Sequence, residues 1–340
     1  MTATPSPRPR VLSGIQPSGH MHLGNYLGAV QKWVEVQDEK ECFYCIVDLH
    51  AITVFQDPKE LLEQTRGVAA LLLACGIDPA KSALFVQSHV RAHAEGSWVL
   101  NCVTPLGWLE RMTQFKSKAD KEKQRTSAGL LTYPVLQAAD ILLYDADEVP
   151  VGEDQRQHLE LTRDIAQRFN HLYGETFKLP KPLIREFGAR IMGLDDPTAK
   201  MSKGSSGTRG HCIRLTDSED EIRYALKRAV TDSGREIQFS DDPEKAGVNN
   251  LLTLYKLLTH KSREETEADF SDARGYGDLK KAVADVVVEA LRPIREEYDR
   301  LISDPAELDR LLAIGADKAR ALAEPKVRLV KERVGFFVPG

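Results

Sequence analysis

Apolar positions along the chain switch between two periods, and the switches mark strands alternating with helices. Val11 to Gln16 is a short apolar run. It passes through Pro17 to Asn25 into a stretch whose apolar residues, Leu27, Val30 and Val34, recur at the 3.6-residue spacing of an amphipathic helix from Tyr26 to Gln37. Cys42 to Asp48 reads as a buried strand, Pro58 to Cys75 as a helix opened by a proline, and Ala83 to Gln87 as a third strand. Pro134 to Leu143 is a further helix, Val149 to Val151 a strand end, and Leu159, Leu161, Ile165 and Phe169 set the period of the helix after it. Strands separated by helices of this length predict an α/β fold with a doubly wound parallel sheet covered on both faces. Ligands of such sheets bind at the carboxyl ends of the strands. Ile15-Gln16, Asp48 to His50, Gln87-Ser88 and Gly152 fall at those ends.

Two stretches depart from that alternation. Residues about 105–130, centred on the charged run Ala119 to Arg125, read as an insertion hanging off the sheet domain. Beyond Gly207 the pattern becomes mostly helical. Asp217 to Val230, Gly247 to Thr259, Leu279 to Leu301 and Ala306 to Val334 are amphipathic, with short β-like pieces near Ile213 and Ile237. The expected organisation is a disordered lead-in over 1–10, a sheet domain over 11–197, a mobile lysine-bearing loop over 198–207 and a helical domain over 208–340.

Composition narrows the class. An apolar fraction of 42% and a charged fraction of 29% are those of a globular protein, and 340 residues have room for one large or two medium cores. The net charge of −5 excludes a general polyanion binder such as a DNA-coating protein, so any nucleic-acid contact needs a local basic patch. Lys318, Arg320, Lys326, Arg328, Lys331 and Arg333 supply one candidate, though a charge run of this kind is usually a solvated helix face. No apolar run reaches the roughly 18 residues of a membrane span, so no membrane partner is expected. Five cysteines at scattered positions point to reduced thiols and a cytoplasmic location. Cys42 and Cys45 have metal-ligand spacing, but residues three apart on a strand point to opposite faces, so both read as core.

Candidate chemistry gathers at four places. The turn from Pro17 to Asn25 packs glycines between a strand and a helix. Its backbone N–H groups and the helix dipole suit a polyphosphate, with His22 and Asn25 as side-chain donors; a plain tight turn is the alternative. On the helix ending at Leu143, Tyr133, Gln137, Asp140 and Tyr144 share one face at spacings of three and four. Asp140 sits in otherwise apolar sequence, where a carboxylate needs either a local donor or a ligand. Gly152, Glu153, Asp154 and Gln155 put acids at a strand end, which suits ribose hydroxyls or an ammonium group, or simply caps the next helix. Lys200 and Lys203 lie in a Gly/Ser loop, Lys200 to Gly207, able to grip a departing polyphosphate or to serve as a linker. Lys118 could reach a phosphate or solvate a surface.

The pair His22-Leu23-Gly24-Asn25 and Lys200-Met201-Ser202-Lys203-Gly204 resembles the two signatures of class I aminoacyl-tRNA synthetases. Ser13 to Gly19, Asp48 to Thr53, Leu131 to Pro134, Ala138 to Leu142 and Val151 to Gln155 resemble the forms found in the bacterial tryptophanyl branch. The resemblance runs from Val11 to about Val334. It implies a Rossmann-like catalytic domain, an anticodon-binding helical domain and a homodimer. It also implies a two-step reaction, in which L-tryptophan is activated by ATP to the adenylate and passed to tRNA(Trp). On this resemblance Gln16, Pro17, Ser18, Gly24 and Asn25 line the phosphates, with His22 and Asn25 donating to them in the transition state. Gly152, Glu153, Asp154 and Ile191 serve the nucleoside. Lys118, Lys200, Ser202 and Lys203, on the loop that includes Met201 and Gly204, steady pyrophosphate together with the Mg²⁺ carried by ATP. Asp140 accepts the indole N–H, and Tyr133, Gln137, Gln155 and His50 surround the amino acid. Asn25 stands where most class members have a second histidine, and Gly204 replaces the usual final serine.

Three other readings share parts of this pattern. A tyrosyl enzyme would want a Tyr and Asp pair aimed at a phenol. A small-molecule nucleotidyltransferase would not need the helical second half. A non-catalytic RNA-binding relative would be free to lose Lys118, Lys200 and Lys203.

Overall fold

The computed structural model describes residues 8–17, 21–112, 127–150, 152, 155–183, 190–201 and 210–338. Ser18, Lys118, Glu153, Asp154, Ser202, Lys203 and Gly204, with most of the expected insertion and lysine loop, lie outside the described residues. Five parallel strands form one sheet in the order β3-β2-β1-β4-β5. They are β1 (Arg10–Ile15), β2 (Glu41–Ile46), β3 (Ala83–Val86), β4 (Glu148–Pro150) and β5 (Lys181–Leu183). The order reverses at β1, so the carboxyl ends of β1 and β4 open the crevice where such sheets bind ligands.

The strands are buried on both faces, and their side chains divide by the two-residue period. Cys42, Tyr44 and Ile46 of β2 enter one core, with the helices Pro58–Ala74, Glu219–Arg228, Ala246–Thr259 and Tyr276–Ser303. Phe43 and Cys45 enter the other, with the helices Ala92–Val103, Ala128–Leu142 and Arg156–Tyr173. Cys42 and Cys45 therefore face opposite ways, which is the geometry of core thiols. Burial pushes the thiol of Cys45 well up, so it stays protonated.

Helix boundaries follow their caps. Asp57 accepts from the N–H groups of Lys59 and Glu60 at 2.9 and 3.2 Å, ahead of a proline at the first helical position. Ser127 caps Leu130 at 3.1 Å, so the helix expected to begin at Pro134 begins at Ala128 and carries that proline inside. The segment after the opening turn is a π-helical stretch, Tyr26–Val30, between the short α-helical pieces Leu23–Asn25 and Gln31–Val36. Such bulges recur at functional sites. No strand forms at Ile237, and near Ile213 there is only an isolated antiparallel bridge between His22 and Arg214.

The helical half shares the first core rather than closing on itself, and the last helix, Pro305–Arg333, crosses the edge strand β3. A Cβ on Gly315 would fall 1.8 Å from the Leu84 carbonyl oxygen, so only glycine lets the helix come this close. Covering β3 also removes an exposed strand edge. Four basic residues of this helix, Lys318, Arg320, Lys326 and Lys331, act in that docking. Lys318 donates to the carbonyls of Pro79, Ala80 and Ser82, and Arg320 to that of His89 at 2.9 Å. Lys326 meets Asp145 at 2.7 Å, Lys331 pairs with Glu95, and Arg328 pairs with Glu332 on its own helix. Beyond the two uses the sequence leaves open for this charge run, a nucleic-acid patch or a solvated face, Lys318, Arg320, Lys326 and Lys331 clamp the helix onto loops and helices of the sheet domain.

Asn250 ties the helical half to the strand-like segment before the lysine loop. Its side-chain amide accepts from the Met192 N–H at 2.9 Å and donates to the Met192 carbonyl at 3.0 Å. The residue is buried, so truncation would orphan both backbone groups. Asn250→Ala is expected to lower stability by about 2–4 kcal/mol, read as a shift in the urea midpoint.

Candidate active site

A cavity of about 540 Å³ opens at the β1/β4 crevice, within the range of sites that enclose a small molecule. Leu12, Ser13 and Gly14 of β1, with Gln16 after it, form one wall; Cys45 and Val47 lie beside them. Val149, Pro150, Gly152 and Gln155 form the wall across, and Tyr133, Gln137, Asp140 and Ile141 project from the Ala128–Leu142 helix. The face expected at spacings of three and four is thus the one turned to the cavity. Its fourth member, Tyr144, lies one turn further on and is buried against Phe43, 5.0 Å between ring centroids.

Asp140 is the only carboxylate among the described lining residues, and it is 4% exposed. Burial alone would raise its pKa, but donors converge on it. His50 Nε2 lies 2.8 Å from Oδ2, while His93 Nδ1 and Gln87 Nε2 each lie 2.7 Å from Oδ1. The two histidines outweigh burial and hold the carboxyl well below the usual range. Its contribution to stability is complete above the ordinary aspartate pKa of about 4 and is lost as pH falls toward the depressed folded value. An ionised carboxylate offers about four lone-pair positions. Three are taken, so one acceptor position remains for whatever enters.

The donors come from three elements. His50 sits on the short helix Asp48–Ala51 at the end of β2. Gln87 follows β3, and its Oε1 accepts from the Leu49 N–H at 3.2 Å, joining the two strand ends. His93 opens the Ala92–Val103 helix. Tyr133 is fixed in turn by His158, with its hydroxyl 2.7 Å from Nε2, and its ring meets His50 edge-on at 6.2 Å. Burial pushes the Tyr133 phenol up to about 12, so it is a neutral hydroxyl at physiological pH. The hydroxyl of Ser13 is buried at the cavity wall with no partner among the described residues.

The described residues of the two signature segments, His22 to Asn25 and Lys200-Met201, come together but are not among the residues that line this cavity. A Cβ on Gly24 would stand 3.1 Å from the His22 ring and 3.4 Å from Met201 Cβ, so the glycine lets the opening turn and the root of the lysine loop touch. His22 is 4% exposed, and its N–H donates to Asn25 Oδ1 at 3.1 Å. Leu23 N–H donates to the Ile213 carbonyl at 2.8 Å, which pins the turn to the chain beyond the loop. Ile191 has its side chain in the core, 1% exposed, so only its backbone is available to a ligand; its carbonyl accepts from Met201 N–H at 2.9 Å. Lys200 is exposed and pairs with Met192 in an isolated antiparallel bridge.

Of the residues expected around an amino acid, Asp140, Tyr133, Gln137, Gln155 and His50 all line the one cavity, as do Gln16 and Gly152 from the nucleotide set. Pro17, His22, Gly24, Asn25, Ile191, Lys200 and Met201 are not among its walls. Ser13, His93 and His158 are not among the expected site residues. Ser13 begins the Ser13 to Gly19 motif, which carries a resemblance but assigns this residue no role, and the two histidines acquire their partners only through tertiary packing.

The sequence profile of the family described as tRNA synthetases class I (W and Y) matches residues 4–292. A tryptophan–tRNA ligase of Wolinella succinogenes is 54% identical over 328 residues, covering 96% of this chain and 99% of that protein. That of Thermosynechococcus vestitus is 54% identical over 333 residues, covering 97% and 100%. Among solved structures, the tryptophanyl-tRNA synthetase of Campylobacter jejuni, complexed with ADP and tryptophan, superposes with a TM-score of 0.85 at 37% identity. The match covers 96% of this chain and all of that one.

Proposed function

The chain belongs to the class I tRNA synthetases of the tryptophan and tyrosine type, and from that premise we infer that it is a tryptophan–tRNA ligase. It activates L-tryptophan with ATP and transfers the aminoacyl group to tRNA(Trp). The observation that carries the choice of amino acid is Asp140, a buried carboxylate on the cavity wall with one acceptor position left. Tryptophan brings one indole N–H to match it. A phenol would also have to leave its own oxygen lone pairs in this site.

In the first step the tryptophan carboxylate oxygen attacks the α-phosphorus of ATP. A bond forms to that phosphorus, the bond to the bridging oxygen breaks, and pyrophosphate leaves with the charge. The nucleophile is already an anion, so no general base is required and catalysis rests on positioning and charge stabilisation. Gln16, Pro17, Ser18, Gly24 and Asn25 line the phosphates in this reading, with His22 held at the turn. Gly152, Glu153, Asp154 and the Ile191 backbone take the nucleoside. Lys118, Lys200, Ser202 and Lys203 neutralise the leaving pyrophosphate, with Mg²⁺ arriving on ATP as part of the substrate. Tyr133, Gln137, Gln155 and His50 enclose the amino acid around Asp140. In the second step a terminal ribose hydroxyl of the tRNA attacks the acyl carbon and AMP leaves.

The enzyme acts as a cytoplasmic homodimer in this account, and exposed apolar side chains such as Phe55, Ile52, Trp98 and Leu106 offer surface for pairing. The direct test is charging of tRNA(Trp) with labelled tryptophan in the presence of ATP and Mg²⁺. Formation of acid-precipitable tryptophanyl-tRNA is expected, and its absence with a competent tRNA would overturn the reading. Lys200→Ala is expected to lower kcat for activation about 10- to 100-fold, with KM for tryptophan within about twofold of the parent.

A further inference from the structure

The three donors on Asp140 are not equivalent. His50 lines the cavity, whereas His93 is fully buried behind the carboxylate and lines no part of it. The Asp140 carboxylate can only accept, so His93 Nδ1–H donates to it at 2.7 Å. In the neutral ring this leaves Nε2 as an acceptor, and the Tyr144 hydroxyl lies 2.8 Å from it. Phe85 and Tyr144 flank the imidazole, with ring centroids 5.9 and 5.6 Å away, so the ring has little room to turn. Tyr144 is itself wholly buried and lies a turn beyond Asp140 on the same chain segment. A closed frame results, in which the backbone joins Asp140 to Tyr144 and the imidazole joins their side chains.

A carboxylate gripped on one oxygen could still rotate about its last bond. His93 and Gln87 on Oδ1, opposed by His50 on Oδ2, fix that rotation and thereby the direction of the one unoccupied lone pair. We propose that His93, braced by Tyr144, is a positioning residue for amino-acid specificity: it aims the free acceptor of Asp140 at the ring N–H of the substrate. The proposal rests on the reading of Asp140 as the indole acceptor. Its chemistry is that of selection by a buried, pre-aimed acceptor, which rejects a ligand without the donor far more strongly than an apolar wall can. A supporting side chain that holds a binding group is worth as much as the precision it maintains, and a small misplacement has a large effect.

The test is amino-acid-dependent ATP–pyrophosphate exchange with two substrates, tryptophan and its benzothiophene analogue, in which sulfur replaces the ring N–H. The ratio of their kcat/KM values measures how well the N–H is read. His93→Leu removes both hydrogen bonds. It is expected to reduce that ratio about 10-fold or more and to raise KM for tryptophan by a similar factor, with KM for ATP within about twofold. His93→Asn keeps a donor near the Nδ1 position and is expected to recover most of the ratio. Tyr144→Phe removes one oxygen and loosens the brace, so a loss of about two- to fourfold is expected; this variant decides the matter if His93→Leu does not fold. An unchanged ratio in the folded variants, or equal rises in KM for tryptophan and ATP, would overturn the proposal. Asp140→Ala, run alongside, separates the two claims. A reduced ratio there with none in the His93 and Tyr144 variants removes only the role of His93, while no reduction there removes the reading of Asp140 and this inference with it.

Discussion

Asp140→Ala is expected to raise KM for tryptophan roughly 10- to 100-fold while leaving KM for ATP near the parent value. The magnitude follows from a hydrogen bond to a charged group, worth about 1.5–3 kcal/mol, with tenfold in affinity for each 1.4 kcal/mol. The direction follows from position. Asp140 lies on the helix that forms one wall of the cavity, the wall proposed to meet the amino acid, while the turn at Gly24 and the segment before the lysine loop meet outside its lining. The variant also strands three donors, His50 Nε2, His93 Nδ1 and Gln87 Nε2, in a buried place. A measurable loss of stability should accompany the loss of affinity, about 1–3 kcal/mol for a lost partner of this kind. Steady-state kinetics with each substrate varied in turn measures the first effect, and urea denaturation the second. Equal rises in both KM values would mean that the carboxylate serves the cavity as a whole rather than the amino acid.

The second large effect concerns the scaffold. Gly315→Val is expected to lower stability by at least about 3 kcal/mol, at the upper end for overpacking, because the atoms it would strike are backbone and cannot turn aside. Its Cβ would lie 1.8 Å from the Leu84 carbonyl oxygen and 2.6 Å from the carbonyl carbon. Relief requires lifting the last helix from β3, which would also draw Lys318 from the carbonyls of Pro79, Ala80 and Ser82. Gly277→Ala provides the control. It is also helical, yet an added Cβ meets nothing within 4 Å, so that substitution should be neutral or stabilising by up to about 1 kcal/mol. Similar urea midpoints for both variants would contradict the docking of this helix on the sheet.

These two positions also show what the sequence could and could not reveal. The α/β alternation was legible because each strand and helix carries its own period, and Asp140 stood out as an acid in an apolar helix with Tyr133 and Gln137 on its face. The strand β5, by contrast, has three residues, Lys181 to Leu183, with a proline in the middle, too short to show a period. The helix Ala92–Val103 hides its buried face under small and polar residues, His93, Gly96 and Ser97 among them. The helix Arg263–Ala268 did carry a signal, the Ser262 and Glu265 capping box, which marks a start without an apolar run to follow it. No local pattern could pair His93 with Asp140, 47 positions away, or place Gly315 on Leu84. Nor does spacing tell a cation that clamps a sheet from one that meets RNA. Lys318 and Arg320 reveal their use only through the carbonyls they reach.

This cavity is proposed to select tryptophan for activation by ATP. The measurement that addresses it most directly is ATP–pyrophosphate exchange with tryptophan and tyrosine supplied separately to the unaltered protein. Exchange with tryptophan and little or none with tyrosine, at least about 10³-fold lower in kcat/KM, is the predicted result. Comparable exchange with tyrosine, or exchange with neither amino acid, would contradict it.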